Sequence, residues 1–274
     1  MMDFTTKNKL KRPETRLKKV LCWCGSAAFW LVLWQIAAQT AGEEILLVSP
    51  FSVLCRLGQL AMTREFWLTI AGSMGRIMLG FVLAMTIGTL LAVLTVKSHI
   101  CYILFYPVVS IINATPVASF IMLALVWLST ARVPVLTSFL IVLPLFWKNI
   151  SNGIEQTDHG LLEMAAVYRF GAVRTLTQIY IPSVLPYFSA ACSTGIGMAW
   201  KAGVAAEVLA NTHLSIGGNL YDAKVYLETP DLLAWTTAIV LLSILLEKGL
   251  GRLMRLPAER RNGVDTHDSP SAKC

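Results

Sequence analysis

Long apolar runs separated by short polar segments dominate this sequence, and they constrain its fold more than any other feature. A helix needs about 20 residues to cross the roughly 30 Å hydrocarbon layer of a membrane. Six runs are candidates for such a crossing, at positions 20–41, 67–96, 100–128, 133–147, 187–209 and 232–246. The sequence therefore predicts an all-α integral membrane protein with about six transmembrane helices.

Composition supports the same class. Of the 274 residues, 55% are hydrophobic and only 14% are charged. A soluble domain of this size needs more charge to cover its surface, so much of the apolar surface is expected to face lipid. The six cysteines are scattered and predict neither a disulfide framework nor a metal site.

The net charge of +7 is concentrated near the two ends of the chain. Basic residues held on one side of a membrane mark its cytoplasmic side, so both termini are predicted to be cytoplasmic. Few aromatic residues lie among them, which argues against a nucleic-acid groove. The predicted organisation is a basic tail at 1–19, a transmembrane domain at 20–250 and a basic, disordered tail at 251–274.

Two segments between the predicted spans and one position within the third span carry further information. Ser49 and Pro50 are typical of a helix start, and they predict a short interfacial helix with an apolar face at Leu54, Leu57 and Leu60. Pro116 predicts a break within the third span. The polar segment at 149–186 falls on the cytoplasmic side by alternation of the spans.

This polar segment contains a helix–turn–helix pattern with a recognisable motif. Glu163, Ala165, Ile179 and Pro182 match the signature Glu-Ala-Ala, three residues, Gly, nine residues, Ile-x-Leu-Pro, which resembles that of the permease subunits of bacterial ABC importers. Met164, Arg169 and Ile181 depart from the signature. Arg169 replaces the glycine that permits a left-handed turn, and Gly171, two residues later, is an alternative place for that turn.

The resemblance to this binding-protein-dependent inner-membrane component family covers about residues 45–250. Arg76 with Gly80 and Phe81, and Ala199 with Trp200, are similar to its nitrate/sulfonate/taurine branch. The resemblance implies a type I ABC importer permease fold and a multi-pass protein of the bacterial inner membrane. It also implies an ATPase subunit that holds ATP and Mg, an extracytoplasmic solute-binding protein and a permease homodimer, with no cofactor on this chain.

In this family, the cytoplasmic loop docks on the ATPase subunit. The resemblance assigns the coupling loop to about 154–184, with a contact set of Glu163, Ala165, Ala166, Tyr168, Arg169, Phe170, Gly171 and Pro182.

Several polar residues within the predicted spans are candidates for a translocation path, since a charge inside a membrane usually faces a cavity or a partner. The set is Lys201, Arg76, Glu207, Asn113 and Thr115. A path lined by Lys201 favours an anionic solute. The alternative is that Lys201 extends to the membrane interface or pairs with an acid across a subunit interface.

Other protein classes predict features that differ from these. A membrane enzyme predicts motifs such as His-Glu-x-x-His, and an ion-driven secondary transporter predicts inverted repeats with broken helices; we find neither. The chain has no Gly-Lys dipeptide and hence no Walker A loop, so ATP hydrolysis is expected on another subunit. The sequence leaves two classes of transported solute open: a sulfonate, nitrate or taurine-like anion, and a neutral vitamin precursor.

Overall fold

A computed structural model describes residues 16–41 and 48–262, and every regular element within these ranges is helical. The helices are α1 Arg16–Ala41, α2 Pro50–Ala61, α3 Arg64–Lys97, α4 His99–Ala114, α5 Val117–Trp127, α6 Val133–Glu155, α7 His159–Val167, α8 Ala172–Thr175, α9 Ile181–Ala210, α10 Ile216–Val225 and α11 Thr229–Asn262. One π-helical turn, Leu176–Tyr180, joins α8 to α9. The predicted all-α class is confirmed for the described part of the chain.

Among the described residues, three helices are both long and apolar enough to cross a membrane: α3, α6 and the Thr229–Arg252 part of α11. Helices α4 and α5 reach that length only as a pair, and they are bent by 104°. The predicted third span at 100–128 is therefore not one continuous helix, and the predicted break at Pro116 is confirmed. Proline lacks an amide hydrogen and pushes the preceding residue out of helical geometry, and Thr115 accordingly has φ −79° and ψ 130°.

Three helices, α3, α6 and α9, form the centre of the fold. Their shared core contains the fully buried side chains of Ile77, Phe146 and Trp200. At Gly80, a Cβ atom would overlap the carbonyl oxygen of Val135 on α6, so α3 and α6 meet backbone to backbone there. Close approach through small residues is the usual way in which helices associate in a membrane.

Several predicted boundaries are corrected by the structure. Helix α6 runs to Glu155, beyond the predicted end of the fourth span at 147, and α9 starts at Ile181 rather than at 187. Helix α11 continues to Asn262, through the first part of the predicted tail at 251–274. Charged residues such as Lys148 mark where a helix leaves the apolar layer, but they do not interrupt its backbone hydrogen bonds. Residues 1–15 and 263–274, most of the two predicted tails, lie outside the described residues.

The predicted short helix at Pro50 is confirmed as α2. Its cap is Ser49, whose hydroxyl accepts a hydrogen bond from the Ser52 amide at 3.2 Å. Arg56 donates to both carboxylate oxygens of Asp231 at the start of α11, with Nη2 2.9 Å from Oδ2. This hydrogen bond raises the pKa of Arg56 above its ordinary value. The pair joins the beginning and the end of the described bundle.

Candidate functional site

The loop that carries the motif is built from α7, α8 and the turn between them. Asp158 caps α7, since its Oδ1 accepts from the Gly160 amide at 2.8 Å. At the other end, the Phe170 amide donates to the Ala165 carbonyl at 2.8 Å and the Arg169 amide donates to the Ala166 carbonyl at 3.1 Å. These two bonds define a Schellman turn, so both ends of α7 are fixed by hydrogen bonds.

The left-handed residue of this turn is Arg169, with φ 51°. Gly171 has φ −67° and ψ 156°, an extended conformation that any residue adopts. The alternative placement of the turn at Gly171 is therefore wrong. The motif position keeps its left-handed geometry although its glycine has been replaced.

The tip of the loop presents large apolar side chains to solvent. Val167, Tyr168 and Val173 are 79%, 71% and 76% exposed. We call these three residues the loop tip. Ala165 and Ile179 are buried and anchor the loop to the rest of the chain. The guanidinium carbon of Arg174 lies 4.2 Å from the centre of the Phe170 ring, a cation–π contact that joins the turn to α8.

The eight predicted loop residues differ in their exposure. Glu163, Ala166, Tyr168, Arg169 and Gly171 are exposed, Phe170 and Pro182 are half-buried, and Ala165 is buried. Pro182 lies in the first turn of α9, directly after the π-helical turn. The motif therefore extends from the exposed loop tip to the start of the central helix.

Arg76 and Glu207, two of the predicted path residues, form a buried ion pair at the opposite end of α9. Arg76 Nε and Nη2 lie 3.2 and 3.0 Å from Glu207 Oε1. The other carboxylate oxygen accepts from the Ser73 hydroxyl at 2.8 Å and from the Gly217 amide at 3.3 Å. Glu207 is 0% exposed, so the structure places it inside the protein rather than on an open surface.

This ion pair also fixes the segment between α9 and α10. Arg76 Nη2 donates to the Leu214 carbonyl at 3.0 Å, and the Ile216 amide donates to the Ser73 hydroxyl at 2.9 Å. A Cβ atom at Gly217 would overlap Glu207 and the backbone of Val208, so only glycine permits this approach. Sequence reasoning missed Ser73, whose one available signal was its position one helical turn before Arg76.

Lys201 lies apart from that pair, on an exposed face of α9. Exposed residues recur along α9 at helical spacing, and we call the following set the α9 stripe: Ser193, Thr194, Met198, Lys201 and Ala205. Within the described ranges Lys201 has no ion-pair partner. On the other sides of α9, Gly195, Gly197 and Ala202 are buried against the chain's own helices.

The last two path candidates, Asn113 and Thr115, lie at the bend between α4 and α5. Asn113 is exposed, whereas Thr115 is half-buried and donates its hydroxyl to the Ile111 carbonyl at 2.7 Å. Neither is hydrogen-bonded to Lys201. In the part of the chain that the structure describes, no group of three or more His, Cys, Asp or Glu side chains could hold a metal ion.

Apolar helices long enough to cross a membrane, together with an exposed apolar loop held by hydrogen bonds at both ends, define a helical membrane protein. Residues 80–247 match the family described as binding-protein-dependent transport system inner membrane component, and the chain belongs to this family. The family recognised from the loop motif is confirmed.

Three curated relatives carry specific names. The chain is 26% identical over 257 residues to the nitrate import permease protein NrtB of Synechocystis sp., covering 89% of this chain and 92% of the relative. It is 26% identical over 196 residues to the bicarbonate transport system permease protein CmpB of the same organism, covering 70% and 69%. It is 24% identical over 235 residues to the taurine transport system permease protein TauC of Escherichia coli, covering 84% and 85%.

Proposed function

We propose that this chain is the membrane-spanning permease subunit of an ATP-driven importer and that its loop tip docks on a separate ATPase subunit. The observation that carries the proposal is the exposure of Val167, Tyr168 and Val173 on a loop anchored at both ends. A cluster of exposed apolar side chains on such a loop is typical of a protein interface. Membership of the binding-protein-dependent transport family supports an ATPase subunit as the partner of this loop.

The geometry of the loop suits the transmission of movement. The Schellman turn fixes α7 against α8, and α8 continues through the π-helical turn into α9. A displacement of the loop tip by the ATPase subunit would therefore act on the first turn of the central helix. In this scheme ATP and Mg bind to the ATPase subunit, and this chain performs no covalent chemistry.

The assembly that follows has two copies of this chain, two ATPase subunits and an extracytoplasmic binding protein. We place the chain in a bacterial inner membrane with six crossings and with both termini in the cytoplasm. Helices α1 and α9 would complete the six crossings beside α3, the bent pair of α4 and α5, α6 and α11, since their 26 and 30 residues correspond to about 39 and 45 Å of helix.

The α9 stripe is the proposed surface of the translocation path. A lysine within a membrane is costly where it faces lipid and is usually found facing a cavity or a partner. Lys201 is nine residues from the end of α9, or about 14 Å along the helix axis. The stripe would face its counterpart on the second copy, with the solute passing between them.

The solute class that this site favours is a small anion. Lys201 supplies a positive charge to the stripe, and nitrate and bicarbonate, which two of the relatives are named for, are anions. The relative named for taurine extends the same class to sulfonates. The binding protein would select among these solutes before delivery.

Co-purification with the loop tip altered tests the docking proposal. A tagged chain is expected to recover an ATPase subunit in equal amount, whereas Val167→Asp or Val173→Asp should lower that recovery about tenfold or more, because a carboxylate replaces an apolar contact. Val225→Asp is the matched control, since Val225 is also exposed but lies at the end of α10.

Two results would contradict the proposal. Recovery of the wild-type chain alone under several mild detergents would favour an ion-driven secondary transporter instead. Equal recovery of the ATPase subunit with all three variants would place the docking surface elsewhere on the chain.

A further inference from the structure

A large cavity opens beside the start of α9, at the end of the molecule that carries the motif loop. Its volume is about 880 Å³, and it lies between the end of α3, the end of α6 and the segment from α8 through the π-helical turn into α9. We call it the inner groove. It extends along α3 from Thr89 to Lys97, a distance of about 12 Å.

The walls of the inner groove are almost entirely apolar, and its rims are open. Val93 on α3 and Leu176 and Ile181 on the opposite wall all line the groove and are all exposed. Thr89, which also lines the groove, has a buried hydroxyl with no hydrogen-bond partner within the described residues. An apolar molecule from outside would bury both rims.

The charge of the inner groove is positive and confined to one end. Lys97, the last residue of α3, is the single charged side chain among those that line it. An occupant that matches this distribution has a long apolar part and one anionic end.

The position of the groove on α9 separates it from the proposed path. Successive residues of an α-helix are rotated by about 100°. Ile181, Leu185 and Phe188 line the groove, and the α9 stripe with Thr194 and Lys201 lies on roughly the opposite side of the helix. If the stripe faces the solute and a second copy, the inner groove faces the surrounding membrane.

We propose that the inner groove binds an anionic phospholipid, with an acyl chain between α3 and α9 and the phosphate at Lys97. Lipid is the occupant that the membrane environment supplies, and basic sites near the ends of membrane helices recognise anionic headgroups. Ala172, which lines the groove, directly follows Gly171 of the motif. A bound lipid would therefore support the segment that joins the loop tip to α9.

Lipid retention by the purified chain tests the proposal directly. After delipidation in mild detergent, mass spectrometry of the extracted lipid is expected to find phosphatidylglycerol in stoichiometric amount. Lys97→Gln should lower its retention relative to phosphatidylcholine about fivefold, and Val93→Trp should abolish retention of both by filling the groove. If Val93→Trp does not fold, Leu176→Trp takes its place in the test, because it fills the groove from the opposite wall.

Matched controls lie on α3 and α6, two of the helices that form the groove. Leu90→Trp changes an exposed apolar residue of α3, and Lys148→Gln removes an exposed charge of α6, but neither residue lines the groove. Both variants are expected to retain phosphatidylglycerol like the wild type. A photoreactive phenylalanine analogue in place of Val93 should form an adduct with the mass of a phospholipid.

Three outcomes would overturn the proposal: no retained lipid in the wild type, equal retention in groove and control variants, or retention of phosphatidylcholine equal to that of phosphatidylglycerol. A photo-adduct with a second copy of the chain or with an ATPase subunit would assign the groove to that protein instead. Retention is measured without transport or ATP hydrolysis, so failure of the permease proposal would leave this test valid.

Discussion

At the scale of single residues, Glu207 shows how a carboxylate is accommodated inside a membrane protein. Each of its oxygens accepts two hydrogen bonds, Oε1 from the Arg76 guanidinium and Oε2 from Ser73 and the Gly217 amide. A buried charge is tolerated only with such complete pairing. Because the donors come from α3 and α10, the same contacts hold three helices together.

Replacing Glu207 should therefore destabilise the fold. Glu207→Gln leaves the Arg76 charge without its counterion, and we expect a loss on the order of 3 kcal/mol in the free energy of unfolding. Thermal denaturation of the chain in detergent measures the change. The double variant Glu207→Gln with Arg76→Gln should recover part of the loss, and an unchanged midpoint for Glu207→Gln alone would show that the pair is not stabilising.

At the scale of elements, α7 is short and depends on its two ends. Asp158 caps one end, and the left-handed Arg169 closes the other. An arginine in this conformation carries a steric cost that glycine does not. The chain thus keeps the turn of its family at a position where the residue is poorly suited to it.

Restoring the glycine should stabilise this turn. Arg169→Gly is expected to stabilise the loop by about 1 kcal/mol, seen as slower hydrogen exchange of the Phe170 amide in the purified chain. Ala166→Gly is the control, because glycine within a helix costs about 1 kcal/mol relative to alanine and should speed exchange. Faster exchange in Arg169→Gly would mean that the arginine side chain itself holds the turn.

The sequence predicted those elements that depend on local signals. Ser49 with Pro50 located α2, and Pro116 located the bend between α4 and α5, because capping and proline geometry act within a few residues. The Arg76–Glu207 pair was not predicted, since its members are 131 residues apart and no local pattern connects them. The exposed face of α9 that carries Lys201 was not predicted either, because the packing of this helix against its neighbours determines which of its sides stays exposed.

At the scale of the whole molecule, α9 connects the two functional ends of the chain. Its first turn adjoins the motif loop, and Glu207 lies 26 residues further on, about 39 Å along the axis. Between them, α9 packs in the core shared with α3 and α6 on one side and leaves the α9 stripe free on the other. A second copy that covered the stripe would complete a path along this helix.

Transport should therefore depend on the charge of the stripe. Lys201→Met is expected to lower uptake of labelled nitrate, bicarbonate or taurine into proteoliposomes about tenfold or more, while ATPase docking stays intact. Lys224→Met, at an exposed position of α10, should leave uptake unchanged, and Lys201→Arg should retain most of it. Undiminished uptake by Lys201→Met would remove this lysine from the path.

The contact between Arg56 and Asp231 can form only late during synthesis, after both residues have been added to the chain. Its two members are 175 residues apart, and at 5–20 residues per second the ribosome needs roughly ten to thirty seconds to add the second after the first. During that interval α2 has been synthesised, but Arg56 cannot yet pair with Asp231. The contact that joins α2 to α11 can therefore form only after Asp231 has been added to the chain.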